Sequence, residues 1–128
     1  MSSDPSHPVL VVDDESMMVD VMSRLLVRIG YTDVDHANDA LTALEMMQTT
    51  SYSLVICDWS MKPMSGYGML CRIRSDPVLK HTPFIMATTQ TVMRNAIAAK
   101  SAGVDAYLLK PFSQDSLKRA IDAAVRRL

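Results

Sequence analysis

Short runs of apolar residues recur along the chain, separated by longer stretches with a helical pattern. Three of the five runs are continuously apolar rather than alternating, which is typical of strands buried on both faces of a parallel sheet. We therefore predict five strands. They are Val9–Val12, Val34–Ala37, Leu54–Cys57, Phe84–Ala87 and Tyr107–Leu109.

The stretches between the runs carry apolar residues at helical spacing. The first is the clearest, because its apolar residues fall on one stripe and Gly30 follows as a C-cap. That stripe consists of Met18, Val21, Met22, Leu25, Leu26 and Ile29. In the second helix, Asn38 is the predicted N-cap, and Leu41, Leu44 and Met47 are the predicted inner face.

Three further helices are predicted in the second half of the chain. One runs from Gly66 to about Arg74, and one from Thr91 to Ala102, closed by Gly103. This fourth helix is rich in alanine and should pack lightly. Its larger apolar anchors are Val92, Met93 and Ile97. Ser113 caps the last helix, whose stripe is Leu117, Ala120, Ile121, Ala124, Val125 and Leu128.

The alternation of strands and helices predicts an α/β fold. It should be a doubly wound, five-stranded parallel sheet with five helices on its two faces and right-handed crossovers. The length of 128 residues suits one domain over residues 1–128. Residues 1–7 should form a disordered N-terminal tail.

Composition excludes several classes of function. Thirteen basic and 14 acidic residues give a net charge of −1, so no electrostatic footprint for nucleic acid or an anionic membrane is present. The apolar runs are too short to cross a bilayer, and the polar N-terminus is no signal peptide. Cys57 and Cys71 lack zinc or disulfide spacing. We therefore expect reduced cysteines and a cytoplasmic location. The eleven methionines suit core filling better than a methionine-rich binding surface.

Polar residues follow four of the predicted strands at the point where each strand ends. In an open parallel sheet, ligands bind at the carboxyl ends of the strands. These residues should therefore converge in space although they are far apart in sequence. They are Asp13 and Asp14 after the first strand, Asp58 after the third, Thr88 and Thr89 after the fourth, and Lys110 with Pro111 after the fifth.

This set of side chains has a common chemical use. Carboxylates at close range repel one another, and a hard cation such as Mg²⁺ compensates them with its preference for oxygen ligands. A lysine and a hydroxyl add the positive charge and hydrogen bond that a phosphoryl group needs. Each residue alone also suits an ordinary turn or helix cap. Their occurrence at successive strand ends favours the phosphoryl site.

Four segments carry a resemblance to a known family. They are VVDD (11–14), ICDWSMKPMSG (56–66), MATT (86–89) and AGVDAYLLKPF (102–112). On these segments the chain resembles the receiver domains of two-component response regulators, of the stand-alone CheY-like kind, over about residues 8–127. The resemblance implies a flavodoxin-like sheet with strand order 2-1-3-4-5.

The resemblance also implies roles for the converging residues. Asp58 would accept a phosphoryl group from a sensor histidine kinase or a histidine phosphotransfer protein. Asp14, Asp58 and the backbone carbonyl of Ser60 would bind Mg²⁺ directly, and Asp13 would bind it through water. Lys110 would pair with the phosphoryl oxygens, beside a cis peptide bond to the following proline.

The resemblance also implies roles in conformational switching and in the lifetime of the phosphoryl group. Thr88 would close onto the phosphoryl group, and Tyr107 would swing inward behind it. Ser60, Thr89 and Gln90 stand at positions that tune dephosphorylation in the family.

The chain departs from the family pattern in two segments. The usual segment DxxMPxMDG is DWSMKPMSG here, so Pro63 comes one position late and Ser65 replaces an acid before Gly66. Thr89 stands where the family often has alanine or glycine.

The resemblance implies a function through partners rather than turnover of a substrate. The protein would catalyse its own phosphotransfer and slow autodephosphorylation, and no effector domain is expected after Leu128. Phosphorylation-dependent binding would use the fourth helix, fifth strand and fifth helix. Their charged residues are Arg94, Lys100, Lys118 and Arg119. We expect a monomer or a weak homodimer, with the last helix as a candidate dimer face.

Two alternatives stay open. A small metal-dependent phosphatase could share this architecture, but such enzymes commonly place a second acid two residues after the nucleophile, where this chain has Ser60. A receiver fold without phosphorylation is the other alternative, and the presence of all acceptor residues argues against it.

Overall fold

Strands and helices alternate throughout the computed structural model, which describes residues 8–89 and 93–126. The strands are β1 (Val9–Val12), β2 (Val34–Ala37), β3 (Leu54–Asp58), β4 (Phe84–Thr88) and β5 (Ala106–Leu109). The helices are α1 (Ser16–Ile29), α2 (Ala40–Thr49), α3 (Gly66–Ser75), α4 (Met93–Ser101) and α5 (Gln114–Arg126). The predicted tail, the predicted start of the fourth helix with Val92, and Leu128 lie outside the described residues. No helix within the described ranges is long and apolar enough to cross a membrane.

The five strands form one parallel sheet in the order β2-β1-β3-β4-β5, which confirms the predicted order. The strands are also aligned at their carboxyl ends. Val12 lies opposite Cys57, and Asp58 lies opposite Ala87 in the next strand. Residues that directly follow β1, β3 and β4 therefore emerge at the same edge of the sheet.

The hydrophobic core has two layers, one on each face of the sheet. Alternate residues of β1 divide between them: Leu10 and Val12 face the layer of α2 and α3, and Val9 and Val11 face the layer of α1 and α5. Helices thus cover both faces, which is why the inner strands β1, β3 and β4 are apolar up to their carboxyl ends.

The inward stripe of α1 differs from the prediction. Val21 is 44% exposed, whereas Val19, which the prediction left out, is 6% exposed and packs beside Met22 and Leu26. Val21 directly precedes Met22, so its side chain points about 100° around the helix axis from that of the buried Met22. This rotation turns Val21 away from the core. Gly30 ends the helix as predicted, and its N–H donates to the carbonyl of Leu26.

The start and the inner face of α2 also correct the prediction. The N-cap is Asp39 rather than Asn38, because the Asp39 carboxylate accepts a hydrogen bond of 2.8 Å from the N–H of Thr42. Leu41 is 47% exposed. Two alanines occupy the inner face instead, together with the predicted leucine and methionine; the buried residues are Ala40, Ala43, Leu44 and Met47.

The packing of α4 is light, as predicted, but two of its predicted anchors, Met93 and Ile97, are wrong. Met93 is 75% exposed and Ile97 is 59% exposed, while Ala99 is buried. A single small buried side chain provides little apolar contact with the rest of the fold. The predicted cap of α5 is confirmed, because the Ser113 hydroxyl accepts from the N–H of Ser116 at 3.1 Å.

Candidate functional site

The carboxyl edge of the sheet brings three carboxylates together. Asp13 follows β1, Asp14 is next to it, and Asp58 is the last residue of β3. One carboxylate oxygen from each lies within 4.8 Å of the others. Asp13 and Asp58 are buried, and Asp14 is exposed to solvent. Hard oxygen donors in this arrangement match the ligands that Mg²⁺ takes.

Lys110, which directly follows β5, reaches this acidic cluster. Its ammonium nitrogen donates to Asp13 at 2.9 Å and to Asp58 at 3.1 Å. Its backbone N–H donates to the carbonyl of Thr88 at 2.9 Å, which continues the pairing of β4 with β5. Three carboxylates against one ammonium leave two uncompensated negative charges. A divalent cation would balance them.

Burial and the ion pairs together shift the pKa values of Asp58 and Lys110. Burial raises the pKa of Asp58, and the positive charge of Lys110 offsets part of that shift. Burial by itself would lower the pKa of Lys110, but its hydrogen bonds and charge interactions with Asp13 and Asp58 outweigh burial and raise it. Lys110 therefore stays positively charged while it holds the Asp58 carboxylate.

The loop after Asp58 is held closely against β3. The N–H of Gly66 donates to the carbonyl of Trp59 at 2.8 Å, and a Cβ atom at Gly66 would overlap the backbone oxygen of Asp58. Only glycine fits at this approach. Ser65, which replaces the family's usual acid, caps α3 by accepting from the N–H of Gly68 at 3.1 Å. A serine performs this capping as well as an aspartate does.

The two prolines near the site both follow cis peptide bonds. They are the displaced Pro63, after Lys62, and Pro111, after Lys110. The second is the cis bond that the resemblance implied. Lys62 also lines a cavity of about 510 Å³ beside the acidic cluster. The other lining residues are Asp14, Trp59, Ser60, Met61 and Ser65.

The remaining predicted site residues that the structure describes lie around the same edge. Thr88 ends β4 and is buried, Thr89 is exposed, and Ser60 is exposed beside the cavity. Gln90 lies outside the described residues. Tyr107 in β5 is half-buried.

Sequence reasoning missed the contacts between aromatic rings at this edge. The Trp59 ring stacks on Tyr67 at a centroid distance of 5.5 Å and makes an edge-to-face contact with Tyr107 at 6.5 Å. The Trp59–Tyr67 contact spans the loop after Asp58, and no periodic pattern in the sequence indicates it. Trp59 therefore links the loop after Asp58 to both α3 and β5.

Comparison with known proteins identifies the fold's family. The family model described as "Response regulator receiver domain" matches residues 9–122. The chain belongs to this family. Chemotaxis protein CheY-3 of Vibrio cholerae is 38% identical to this receiver domain over 120 residues, covering 94% of the chain and 92% of that protein. Chemotaxis protein CheY of Pseudomonas aeruginosa is 36% identical over 120 residues, covering 94% and 97%.

The solved structures show the same similarity in three dimensions. A response regulator receiver domain protein of Clostridium thermocellum has a TM-score of 0.84 and 31% identity, covering 94% of this chain and 95% of that one. The CheY-like resemblance seen in the sequence is thus confirmed, and the chain is a response regulator phosphoacceptor. Its acidic cluster is consistent with the Mg²⁺ site of receiver domains.

Proposed function

We propose that Asp58 is the residue that accepts the phosphoryl group, within a single receiver domain spanning the chain. The observation that supports this most directly is the Lys110 ammonium, which contacts Asp13 and Asp58 at once. Of these two buried acids, Asp58 is the one that matches the phosphoacceptor of the receiver family, and Trp59 and Ser60 directly after it line the cavity beside the acidic cluster. A phosphodonor can therefore approach it from solvent.

Phosphoryl transfer requires alignment of the carboxylate with phosphorus and neutralisation of charge, and little further covalent chemistry. An Asp58 carboxylate oxygen attacks phosphorus, and the bond from phosphorus to the donor's histidine nitrogen breaks. The electron pair of that bond stays on the imidazole, and the product is an acyl phosphate on Asp58. Lys110 orients the carboxylate beforehand and then pairs with the phosphoryl oxygens.

Magnesium is the cofactor that these residues fit. Asp14, Asp58 and the backbone carbonyl of Ser60 would hold it, and Asp13 would contribute through water. When bound, Mg²⁺ neutralises the carboxylates and the phosphoryl oxygens. The two uncompensated negative charges of the acidic cluster support this assignment.

Switching would follow from contacts that exist only with the phosphoryl group present. Thr88 would close onto it, and Tyr107 would move inward behind Thr88. Only such differential contacts shift a two-state equilibrium, and moving it from mostly inactive to mostly active takes about 5.5 kcal/mol. The light packing of α4, with Ala99 as its buried residue, makes this helix the readiest element to move. Ser60, Thr89 and Gln90 would tune the lifetime of the phosphoryl group.

Output would be phosphorylation-dependent protein binding on the face of α4, β5 and α5. Exposed apolar side chains on this face, Met93, Ile97 and Leu109, provide contact area. Exposed basic residues of α4 and α5 provide charge, namely Arg94, Lys100, Lys118 and Arg119. The phosphodonor would be a sensor histidine kinase or a histidine phosphotransfer protein in the cytoplasm, and the receiver would dephosphorylate itself slowly.

The decisive experiment is phosphorylation with a small-molecule phosphodonor and Mg²⁺, followed by intact-protein mass spectrometry. Wild type should gain the mass of one phosphoryl group, and Asp58→Asn should gain none. Asp115→Asn, an exposed acid of α5, is the matched control and should behave as wild type. Phosphorylation of Asp58→Asn at the wild-type rate would refute the assignment. Turnover of an exogenous phosphate ester would instead indicate the phosphatase alternative.

A further inference from the structure

Lys110 depends on a strand with few contacts of its own. β5 has four residues, lies at the edge of the sheet and pairs with β4 alone within the described residues. Leu108 is its one buried residue. Because Lys110 directly follows this strand, the register of β5 against β4 decides where the ammonium group lies. A slip by one residue would also turn each side chain to the opposite face.

The register of β5 is held at both ends by backbone hydrogen bonds to β4. At the site end, the N–H of Lys110 donates to the carbonyl of Thr88 at 2.9 Å. At the opposite end, the N–H of Asp105 donates to the carbonyl of Phe84 at 2.9 Å. The Asp105 carboxylate also accepts from the N–H of Phe84 at 2.8 Å. Asp105 therefore joins the start of β4 through both its backbone and its side chain.

Arg74 of α3 holds Asp105 in turn. Its guanidinium donates to the Asp105 carboxylate at 2.9 Å, and the Asp105 side chain is only 5% exposed. The same guanidinium donates to the backbone carbonyls of Gly103 at 2.9 Å, Thr82 at 2.7 Å and Lys80 at 3.1 Å. One side chain thus ties together α3, the segment before β4 and the turn before β5.

We propose that Arg74 and Asp105 are positioning residues for phosphoryl transfer, which act by fixing β5 and thereby placing Lys110. We call this pair the β5 clamp. The inference rests on the proposed function of Lys110. Asp105 precedes Lys110 by five residues, which is about 16 Å along a strand, so the clamp does not touch the reacting atoms.

Positioning at this distance matters because the transfer depends on alignment. A misplacement of about 1 Å caused by a remote substitution can slow a reaction by about 100-fold. Lysine cannot replace Arg74 in this role, because its single ammonium does not reproduce the planar fork that reaches four acceptors. The conservative change Arg74→Lys is therefore a sensitive test of the clamp.

The experiment is a double-mutant cycle between Asp105→Asn and Lys110→Met. The rate of phosphorylation by a small-molecule phosphodonor with Mg²⁺ is measured for wild type, both single variants and the double variant, all at a temperature where each is folded. The phosphorylation rate of Asp105→Asn should be about tenfold lower than that of wild type, because Lys110 is misplaced. The same substitution should slow Lys110→Met by less than about twofold, because the group that Asp105 places is already missing.

A purely structural role predicts a different pattern. Asp105→Asn would then slow the reaction by the same factor with or without Lys110, and that result would overturn the proposal. Urea unfolding of the four proteins should show stability losses that add, since Asp105 and Lys110 share no contact among the hydrogen bonds above. If the rate effects of the two substitutions do not add while their stability losses do, Asp105 acts as a positioning residue for Lys110.

Further variants distinguish a failure of the β5 clamp from a failure of the proposed role of Lys110. If Asp105→Asn does not fold, Arg74→Lys takes its place in the cycle with the same expectation. Asp122→Asn removes the exposed ion pair with Lys118 and should leave the rate unchanged. A wild-type rate in Lys110→Met would overturn the role of Lys110 itself, and the clamp with it. A slow Lys110→Met with additive rates would overturn the clamp alone.

Discussion

The side chain of Lys110 donates a hydrogen bond of 3.1 Å to Asp58, although 52 residues separate them in sequence. The same ammonium donates to Asp13 at 2.9 Å, across 97 residues. One cation therefore joins the ends of three strands, β1, β3 and β5. The candidate site exists only when the sheet is assembled, so its chemistry and the stability of the fold are linked.

Replacing Lys110 with methionine should destabilise the metal-free protein by about 1–3 kcal/mol, because Asp13 and Asp58 lose a charged hydrogen-bond donor. Mg²⁺ should recover more stability in Lys110→Met than in wild type, since the variant has one more uncompensated negative charge. Urea unfolding with and without Mg²⁺ measures both effects. Lys118→Met is the matched control, because its exposed ion pair should contribute less than about 1 kcal/mol. Equal stability of Lys110→Met and wild type without metal would contradict the prediction.

Replacing Gly66 with alanine should be severely destabilising, by more than about 3 kcal/mol, because the added Cβ meets the backbone oxygen of Asp58 and the backbone cannot move aside. Gly68→Ala, two residues later in the same helix, meets mainly the flexible side chain of Met64. The free energy of unfolding of Gly68→Ala should be within about 1 kcal/mol of the wild-type value, since alanine also favours the helix. Thermal unfolding of the two variants gives the comparison. Similar losses in both would show that the contact with Asp58 is unimportant.

The Tyr52–Asp35 hydrogen bond predicts a dependence of stability on alkaline pH. Burial, followed by the hydrogen bond and charge of Asp35, raises the pKa of Tyr52 to about 12. Because the unfolded pKa is about 10, the stabilisation from this shift is complete below that pH and is lost as pH rises towards about 12. The free energy of unfolding of wild type minus that of Tyr52→Phe should therefore shrink over this range. A difference in free energy of unfolding that stays constant over this pH range would exclude the raised pKa of Tyr52.

The two cysteines should differ sharply towards a thiol reagent. Burial raises the pKa of Cys57 well above its ordinary value, and the nearby carboxylates of Asp58 and Asp13 raise it further. Cys57 is also fully enclosed, while Cys71 is partly exposed. Since the thiolate is the reactive form, native protein should react rapidly at Cys71 and at Cys57 only on unfolding. Cys71→Ser should abolish the rapid phase; rapid labelling of Cys57 in that variant would contradict the buried position.

The sequence predicted two helix caps correctly, missed the cap of α2 by one residue, and misassigned residues on two helix faces. Gly30 and Ser113 were assigned as caps correctly because a cap depends on a few neighbouring residues. Val21 and Leu41 were assigned to the core wrongly, because an apolar residue at the border of a stripe has no local signal that decides its direction. The neighbouring Val19 and the small alanines of α2 take the inward positions once the helices pack on the sheet.

By itself, the sequence determined the parallel α/β architecture and the set of polar residues at the strand ends. Both depend on local patterns: apolar runs of strand length, helical periodicity, and the residue type directly after each strand. Tertiary structure alone decided that one ammonium contacts Asp13 and Asp58 together, and that Arg74 and Asp105 hold the far end of the strand that carries Lys110. These contacts join residues distant in sequence through hydrogen bonds of about 3 Å. Such distances are set by the packing and register of whole elements, and no local pattern encodes them.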